Sequence, residues 1–382
     1  MNMPLVLLNR RRRAGGFNPV SALFSASEPG GLWLPEPQYL FQDRAGTTPV
    51  TAAGQSVGLR LDMSRGLTLG AELVAAGWTA DAGWVQSDRT FTATSVAANT
   101  EVEKASLVTA GKTYQVEITW SGLSALSAWR FYLFQFTTAV DISNTADGAS
   151  GSRTYRVQAP SSGTITALRA LNASQSGVFT LSIRELPGNH LVAINDAARG
   201  TYNTDGTLHW IAYDGVNSGY VSPTITPGTD KAQVFAGVRK LSDAAFGMIA
   251  ELSTGATVDG VFYLGNQTTG ILQFFSRGTV NAFADGPTAF PAPVSLVTSG
   301  LGDISGDSAS IRINGVLRET VTTDQGTGNY LAYPLYVGRR GGTSLPFNGR
   351  DYGILVRFGP NLDADTITKT ERYIAARTGV TL

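Results

Sequence analysis

Residues 335–357 constrain the fold of this chain more than any other stretch. Two short apolar runs, 335–337 and 352–356, flank a segment rich in glycine, proline and asparagine. Neither a helix nor a straight strand can contain that segment, because Pro346 fixes φ and has no N–H to donate. We therefore predict two strands joined by a sharp connection.

Two further patterns support a fold built from strands. Residues 310–318 alternate apolar and polar side chains around Asn314-Gly315, the dipeptide that favours a type I′ hairpin turn. Only residues 365–378 show a helical pattern, with Asp363 or Asp365 as N-cap and Gly379 just after the end. The expected fold class is therefore all-β with a short C-terminal helix.

The composition points to the same class. Only 15% of the residues are charged, against about 25% in an average soluble domain, and the chain has 44 glycines. Polarity supplied by hydroxyl groups is typical of turn-rich extracellular or virion proteins. At 382 residues the chain should contain two or three domains.

Several classes of function are disfavoured by the same counts. The 29 basic and 29 acidic residues balance, so no overall field attracts nucleic acid or anionic lipid. The absence of cysteine excludes disulfides, thiolate zinc sites and a cysteine nucleophile. No apolar run approaches the roughly 18 residues of a membrane span, so membrane insertion is not expected. The apolar run 3–8 precedes its arginines, the reverse of a secretory signal, so we expect synthesis in the cytoplasm.

Residues 1–16 form a basic N-terminal arm. Its candidate partner-docking residues are Arg10, Arg11, Arg12 and Arg13, followed by Ala14-Gly15-Gly16. Such an arm docks on an acidic partner protein, docks on nucleic acid, which the balanced overall charge disfavours, or remains a solvated chain end.

The next fifty residues carry the most specific pattern in the chain. Its elements are Leu40-Phe41-Gln42-Asp43, Gly46-Thr47-Thr48-Pro49-Val50 and Val57-Gly58-Leu59. This series resembles the opening segment of tailed-phage structural proteins that continue into a concanavalin A-like, laminin-G-like jelly roll. Trp33-Leu34-Pro35-Glu36 departs from the Trp-Tyr-Asp-Pro of that family. The resemblance implies a virion protein, with other virion proteins as partners.

The same family pattern resumes after residue 187. Its elements are Gly188-Asn189-His190, Ala197-Ala198-Arg199-Gly200 and Tyr213-Asp214-Gly215-Val216. In the phage proteins these follow the opening segment almost directly, so residues 70–187 are predicted to be an insertion. We expect residues 17–69 to pack with 188–382 as a laminin-G-like β-sandwich.

The predicted insertion has its own strand pattern. Aromatic-rich alternating runs such as 114–120 and 178–184 are separated by glycine-containing turns. Their order resembles that of jelly-roll carbohydrate-binding modules. Two jelly-roll β-sandwich domains are therefore expected in the chain.

Saccharide recognition is the function that this resemblance implies for the insertion. An aromatic ring packs on the C–H face of a pyranose while amide and guanidinium groups bond its hydroxyls. The glycan-binding candidates are Trp84, Trp78, Trp129 and Gln86, and Trp84 is expected to be exposed. Trp120 is expected to fill a core.

Metal binding and catalysis have weaker signals. Asp141, Asn144 and Asp147 could offer oxygen ligands to Ca²⁺, although such clusters are also ordinary turn chemistry. His190 and His209 are the only histidines, and neither lies in a nucleophile-elbow context. We therefore expect no catalytic residue, no enzymatic activity and no cofactor beyond the calcium alternative.

These expectations combine into one hypothesis and its alternatives. The chain is expected to be a virion structural protein, in a tail fibre, baseplate or capsid surface, that adheres to host-surface glycan. Homo-oligomerisation, as a trimer, would suit it, although no coiled coil is present. The first alternative is a purely structural decoration or fibre protein that contacts only virion subunits. The second is a polysaccharide depolymerase, which would require an acidic cleft.

Overall fold

The computed structural model describes residues 16–123, 126–133, 139–140, 149–159, 165–254, 258–286 and 289–382. The strands are β1 (Gly30–Trp33), β2 (Leu40–Phe41), β3 (Ser56–Val57), β4 (Leu59–Arg60), β5 (Thr79–Ala80), β6 (Trp84–Ser87), β7 (Thr90–Val96), β8 (Glu101–Ala105), β9 (Thr113–Ser121), β10 (Trp129–Tyr132), β11 (Ala139–Val140), β12 (Gly151–Gln158), β13 (Ile165–Ala170), β14 (Gln175–Glu185), β15 (Leu191–Ala193), β16 (Gly200–Thr204), β17 (His209–Asp214), β18 (Tyr220–Ile225), β19 (Lys231–Lys240), β20 (Gly247–Leu252), β21 (Val261–Asn266), β22 (Leu272–Arg277), β23 (Asn281–Asp285), β24 (Val294–Asp303), β25 (Ser308–Ile313), β26 (Val316–Val321), β27 (Tyr333–Val337) and β28 (Asn348–Phe358). The helices are α1 (Pro19–Leu23) and α2 (Ala364–Thr378), with single 3-10 turns at Pro37–Tyr39, Leu126–Ala128 and Asp196–Ala198. The chain is therefore all-β, as its composition and patterns predict.

Four sheets contain these strands. Sheet A has the order β26-β25-β24-β19-β28-β17-β16-β3, with β1 also paired to β28, and sheet B has the order β2-β4-β15-β18-β27-β20-β21-β22-β23. Sheet C has the order β12-β9-β14-β7-β6, and sheet D the order β11-β10-β13-β8-β5. All strands of sheets C and D come from residues 79–185, whereas sheets A and B combine strands from 30–60 with strands from 191–358.

Sheets A and B form a large sandwich. Their inward side chains share one core, in which Val234 and Ile354 of sheet A meet Phe262 and Leu335 of sheet B. The outer face of sheet A is covered by α1 and α2, where Ile374 packs with apolar residues of both elements and of the sheet. The outer face of sheet B has no such helical cover in the described chain.

Sheets C and D form a small sandwich with a separate core. The side chains of β9 alternate between this core and the outer face of sheet C. Those of Tyr114, Val116, Ile118 and Trp120 are buried, and the intervening side chains point outward. The burial of Trp120 confirms that expectation. The backbone N–H of Gly70 donates to the carbonyl of Glu185 at 2.8 Å, which places the two ends of this unit side by side. The proposed boundaries at 69/70 and 187/188 stay predictions.

The predicted connection within residues 335–357 joins the two sheets of the large sandwich. It runs from β27 in sheet B to β28 in sheet A. The hairpin prediction is also confirmed, since β25 and β26 are joined by Asn314 and Gly315 with φ of 50° and 76°. Positive φ at both positions is the geometry of a type I′ turn.

The predicted C-terminal helix is confirmed as α2. The Asp363 side chain accepts a hydrogen bond from the Thr366 N–H, and Gly379 closes the helix in the left-handed region. The expectation of a single helix is wrong, because α1 also forms. Asn18 caps α1 and Pro19 starts it. A helix of five residues is too short to produce a helical periodicity in the sequence.

A buried hydrogen-bond cluster ties the opening segment to the residues after 187. The Asp62 carboxylate accepts from the N–H groups of Leu32 at 2.9 Å and Asn189 at 2.7 Å. The Asp62 N–H donates to Nδ1 of His190, whose Nε2 donates to the Leu186 carbonyl at 3.0 Å. Gly188 has φ of 137°, and a Cβ there would lie 3.0 Å from the Asp62 carboxylate. The Gly-Asn-His motif therefore has a structural role.

None of the helices in the described ranges has the length and apolar character needed to cross a membrane.

Candidate functional site

The tryptophans selected from the sequence lie in the core of the small sandwich. Trp84 is 5% exposed, Trp78 7% and Trp129 0%. The rings of Trp84 and Trp129 pack edge to face with centroids 5.6 Å apart. The expectation that Trp84 is exposed is therefore wrong. Along β6 the side chain of Trp84 points inward and that of Val85 outward, with 64% exposure.

Gln86 does not present a free amide for a sugar. Its Oε1 accepts from the Trp78 N–H at 3.3 Å, and its Nε2 donates to the carbonyls of Ala75 and Asp88, both at 2.9 Å. The amide thus fixes local backbone at the edge of sheets C and D. Trp78, Trp84 and Trp129 thus belong to a buried core, and Gln86 lies at its border.

The remaining sequence candidates lie outside the described residues. They are Asp141, Asn144 and Asp147 for calcium, and Arg10, Arg11, Arg12 and Arg13 for partner docking. Within the described ranges, no group of three or more histidine, aspartate or glutamate side chains could hold a metal ion.

Neither histidine is arranged for nucleophilic catalysis. His190 is fully buried, and burial lowers its pKa so that the neutral tautomer fixed by its two hydrogen bonds persists. His209 lies on β17 with Nδ1 at 2.7 Å from the Tyr202 hydroxyl, and the two rings stack at 16°. Both imidazoles are thus engaged in packing contacts.

A surface suited to ligand contact lies on the outer face of sheet B, at β21, β22 and β23. Three cross-strand pairs lie side by side there: Gln273 opposite Asp285, Phe275 opposite Phe283, and Arg277 opposite Asn281. We call these six residues the Phe283 platform. An aromatic pair thus lies between two polar pairs.

Aromatic stacking organises the platform. Phe275 stacks on Tyr263 with centroids 4.8 Å apart, and Phe283 lies 4.9 Å from Phe275. Arg340 covers the Tyr263 end, with its guanidinium 5.2 Å from the ring centre. Phe283 is 44% exposed, whereas Phe275 is 3% exposed. The row therefore offers one open ring face on a rigid aromatic base.

Hydrogen bonds hold the polar side chains on both sides of Phe283. Gln273 donates to Asp285 at 2.7 Å, and its Oε1 accepts from the Tyr263 hydroxyl at 2.5 Å. Burial raises the pKa of Tyr263 to about 12, so this hydroxyl keeps its proton at neutral pH. The rim is therefore ordered before any ligand arrives, which lowers the entropy cost of binding.

The opposite side of the platform carries donors. Arg277 bonds the Asp259 carboxylate through Nη2 at 2.9 Å and the Asn281 amide oxygen through Nη1 at 2.9 Å. Asn281 is exposed and uses its amide oxygen in this bond, so its amide nitrogen is available within the described chain. One exposed ring between ordered amide, carboxylate and guanidinium groups can contact both the apolar and the polar parts of a ligand.

Sequence reasoning missed this platform, although a signal was present. In Asn281-Ala282-Phe283-Ala284-Asp285 the small alanines fill the inward positions, with 1% and 0% exposure. Small residues at both inward positions require Phe283 to point outward. The alternation along residues 281–285 therefore predicts an outward Phe283, whereas the aromatic-rich runs of the small sandwich favour the tryptophans.

No protein-family model matches this chain, and no curated protein matches it. Solved structures with partial similarity include the CBM40 of the Ruminococcus gnavus IT-sialidase bound to α2,3-sialyllactose, at 20% identity and a TM-score of 0.32 over 37% of this chain and 83% of that chain. They also include a native heptameric SAP-like pentraxin from Limulus polyphemus, at 11% identity and a TM-score of 0.35 over 44% of this chain and 82% of that chain. At these values the similarity assigns no binding residue and no ligand to this chain.

Proposed function

We propose that this chain is a bacteriophage virion structural protein, in a tail fibre, baseplate or capsid surface, that adheres to host-surface glycan. The observation that carries the adhesive role is the exposed Phe283 ring set between ordered polar side chains. A pyranose would lay its C–H face on this ring, and Asn281, Asp285 and Arg277 would bond its hydroxyls.

The virion role is supported by the sequence resemblance of the opening segment. That segment and the Gly188-Asn189-His190 motif meet at Asp62, as parts of one sandwich would. On this proposal the chain is made in the host cytoplasm, assembles with other virion proteins and has no catalytic role. The opening segment, residues 17–69, is the proposed attachment to the particle, and the basic arm, residues 1–16, is proposed to dock on a partner protein.

Oligomerisation would compensate for the weakness of one open platform. A flat site with a single exposed ring buries little of its ligand, so each contact dissociates rapidly. Several copies facing the same surface raise avidity by a factor of about 10² to 10⁴ without any new contact. A trimer, as expected from the sequence, would present three platforms.

The adhesive role is tested by Phe283→Ala on an array of bacterial surface glycans. Loss of one buried aromatic contact is worth about 1.5–3 kcal/mol, so binding should weaken by about tenfold or more. Val216→Ala, which trims another exposed apolar side chain, is the matched control and should bind normally. Equal binding by Phe283→Ala and the parent would reject the platform.

The virion role is tested separately, by cryo-electron microscopy of phage particles purified from cells that express the gene for this chain. The chain should occupy the tail or capsid surface with β22 and β23 facing outward. Absence from purified particles would reject the virion role while leaving glycan binding open.

The structural alternative is favoured by one observation. Val280, Val316, Leu317 and Leu382 are exposed apolar side chains on or beside β23 and β26, the edge strands of sheets B and A. Contact with another virion subunit would cover them. If the cryo-electron microscopy map shows these apolar side chains and Phe283 buried between subunits, the decoration role replaces adhesion.

A further inference from the structure

A second site lies at the other edge of sheet B, where the opening segment meets the small sandwich. A cleft of about 770 Å³ opens there, within the range typical of small-molecule sites. It adjoins β2 and β4, whereas the Phe283 platform lies on β22 and β23 at the far end of the same sheet. The two surfaces are therefore separate.

One wall of the cleft is apolar. Leu61, Leu67, Leu69 and Leu186 line it together with Phe41. These residues belong to a small cluster that packs on the outer side of sheet B rather than to either sandwich core. Phe41, Leu61 and Leu186 are themselves buried, so the apolar surface open to a ligand is that of the half-buried Leu67 and Leu69.

The facing wall is polar and belongs to sheet C. Gln115 on β9 lies directly opposite Arg156 on β12, and Thr154 and Ser152 follow on the same outward face of β12. Cross-strand pairing holds these side chains in register. The wall thus offers an amide, two hydroxyls and two arginines, Arg156 and Arg153, of which only Arg156 shares the outward face of Thr154 and Ser152.

Arg156 is held at the meeting point of the two walls. Its Nη1 donates to the Gly46 carbonyl at 3.0 Å, its backbone N–H donates to the Ala45 carbonyl at 2.7 Å, and its guanidinium lies 4.5 Å from the centre of the Phe41 ring. A guanidinium anchored to carbonyl oxygen and an aromatic face is pre-oriented and can still donate through its remaining N–H groups.

The charge of Arg156 is not matched inside the cleft. Burial lowers the pKa of Arg156 despite attraction from Glu117 and Asp43. The Asp43 carboxylate is occupied by the N–H and hydroxyl of Thr47 and the N–H of Thr48. Glu117 is exposed and accepts from Gln115. Neither carboxylate lines the cleft, so a bound anion would complete the charge balance there.

We propose that this cleft binds a carboxylate-bearing pyranose, with the ring on the apolar wall and the carboxylate on Arg156. The chemistry follows from the two walls. A cation without a lining carboxylate selects an anion, and an apolar wall facing hydroxyl and amide groups selects a sugar ring over a bare ion.

Isothermal titration of the full chain tests this site with three probes: tri-galacturonate, the neutral galactose trisaccharide, and acetate. The acidic trisaccharide should bind about tenfold or more tightly than the neutral one, the effect of one charge-assisted hydrogen bond. Acetate should bind more weakly than the acidic trisaccharide, because it lacks the ring. Equal affinity for the two trisaccharides would overturn the proposal, and so would acetate binding as tight as that of tri-galacturonate.

Matched variants locate the site. Arg156→Met keeps an apolar stem near Phe41 but removes the charge, and should weaken tri-galacturonate by about tenfold. Arg184→Met removes a cation from the same outward face, opposite Gln115 on β14, but outside the cleft, and should change affinity by less than about twofold. Equal loss in both variants would mean general charge attraction and would overturn the site.

A second variant keeps the test valid if Arg156→Met fails to fold. Ser152→Trp fills the cleft from an exposed strand position and leaves Arg156 in place, so it should abolish binding while thermal unfolding stays cooperative. Normal tri-galacturonate binding by folded Ser152→Trp would overturn the proposal. Phe283→Ala should retain this binding, which separates the cleft from the glycan platform.

Discussion

Single residues show that an aromatic or titratable side chain takes its role from its surroundings. The indole N–H groups of Trp78, Trp84 and Trp129 are buried without a hydrogen-bond acceptor in the described chain. An unpaired buried donor costs about 1–3 kcal/mol. These tryptophans therefore contribute through ring packing, and their polar atoms lower the stability that packing provides.

Trp84→Phe should consequently change the free energy of unfolding by less than about 1 kcal/mol, because the loss of ring area is offset by removal of the unpaired N–H. Trp84→Ala should cost about 3–5 kcal/mol by leaving a cavity. Urea unfolding of both variants measures this difference. Similar large losses in both would show that the indole nitrogen has a partner.

His190 should make stability depend on pH. Its folded pKa lies below the ordinary value of about 6.5, because burial disfavours the imidazolium. The unfolded chain therefore binds the extra proton as pH falls through about 6.5. Stability from this group is complete above that pH and is lost below it, at up to about 1.4 kcal/mol per pH unit.

Urea midpoints between pH 5 and 8 test this dependence. His190→Gln should flatten the decline below pH 6.5, whereas His209→Gln should retain it. A decline that is unchanged in His190→Gln would assign the effect to other groups.

Helix α2 carries two ion pairs that contribute unequally to stability, one buried against sheet A and one exposed on the helix surface. Helix α2 docks on sheet A through Glu371, which accepts from Arg312 at 2.8 Å and from the Ser299 hydroxyl at 2.6 Å. The same helix carries an exposed pair, Lys369 with Asp365 at 2.5 Å. Removal of the buried Glu371 carboxylate leaves the partly buried Arg312 guanidinium without its ion pair, whereas an exposed pair is screened by water.

Glu371→Ala should therefore lower the free energy of unfolding by about 3–5 kcal/mol. Lys369→Ala, on the exposed side of the same helix, should change it by less than about 1 kcal/mol. Chemical denaturation monitored by circular dichroism compares the two. Near-equal effects would mean that α2 docks through its apolar residues alone.

At the scale of the molecule, the described residues form two sandwiches that are joined where the ends of the small one lie together. Gly70 and Glu185 share a backbone hydrogen bond, so a chain that omits the small sandwich needs only a short link. Such a shortened chain must retain Leu186, because this residue packs with Phe41, Leu59 and Leu61 at the junction of the two sandwiches.

Replacement of residues 71–184 by a short Gly-Ser linker should leave a folded large sandwich that unfolds cooperatively. Loss of the Arg156 contacts to Ala45 and Gly46 should lower its stability relative to the parent chain. Calorimetry and the circular-dichroism signal of β-structure measure the outcome. An aggregated product would contradict the prediction that the small sandwich is an insertion in the large one.

The sequence by itself determined the local structure. The turn dipeptide Asn314-Gly315, the helix cap Asp363 and the alternation along β9 each depend on neighbouring residues and on intrinsic backbone preferences. The all-β class follows from many such short-range signals. Resemblance to the phage proteins also predicted from the sequence that the segment with the Gly-Asn-His motif packs with the opening segment.

Only the tertiary structure decided which aromatic side chains are exposed. Trp84 and Phe283 both occupy strands, but a second sheet covers Trp84, while no helix of the described residues covers the outer face of sheet B at Phe283. The cleft at Arg156 likewise depends on two segments about a hundred residues apart meeting at one edge. Exposure and cleft formation are properties of packed layers, and local sequence preferences carry no information about which layer covers which face.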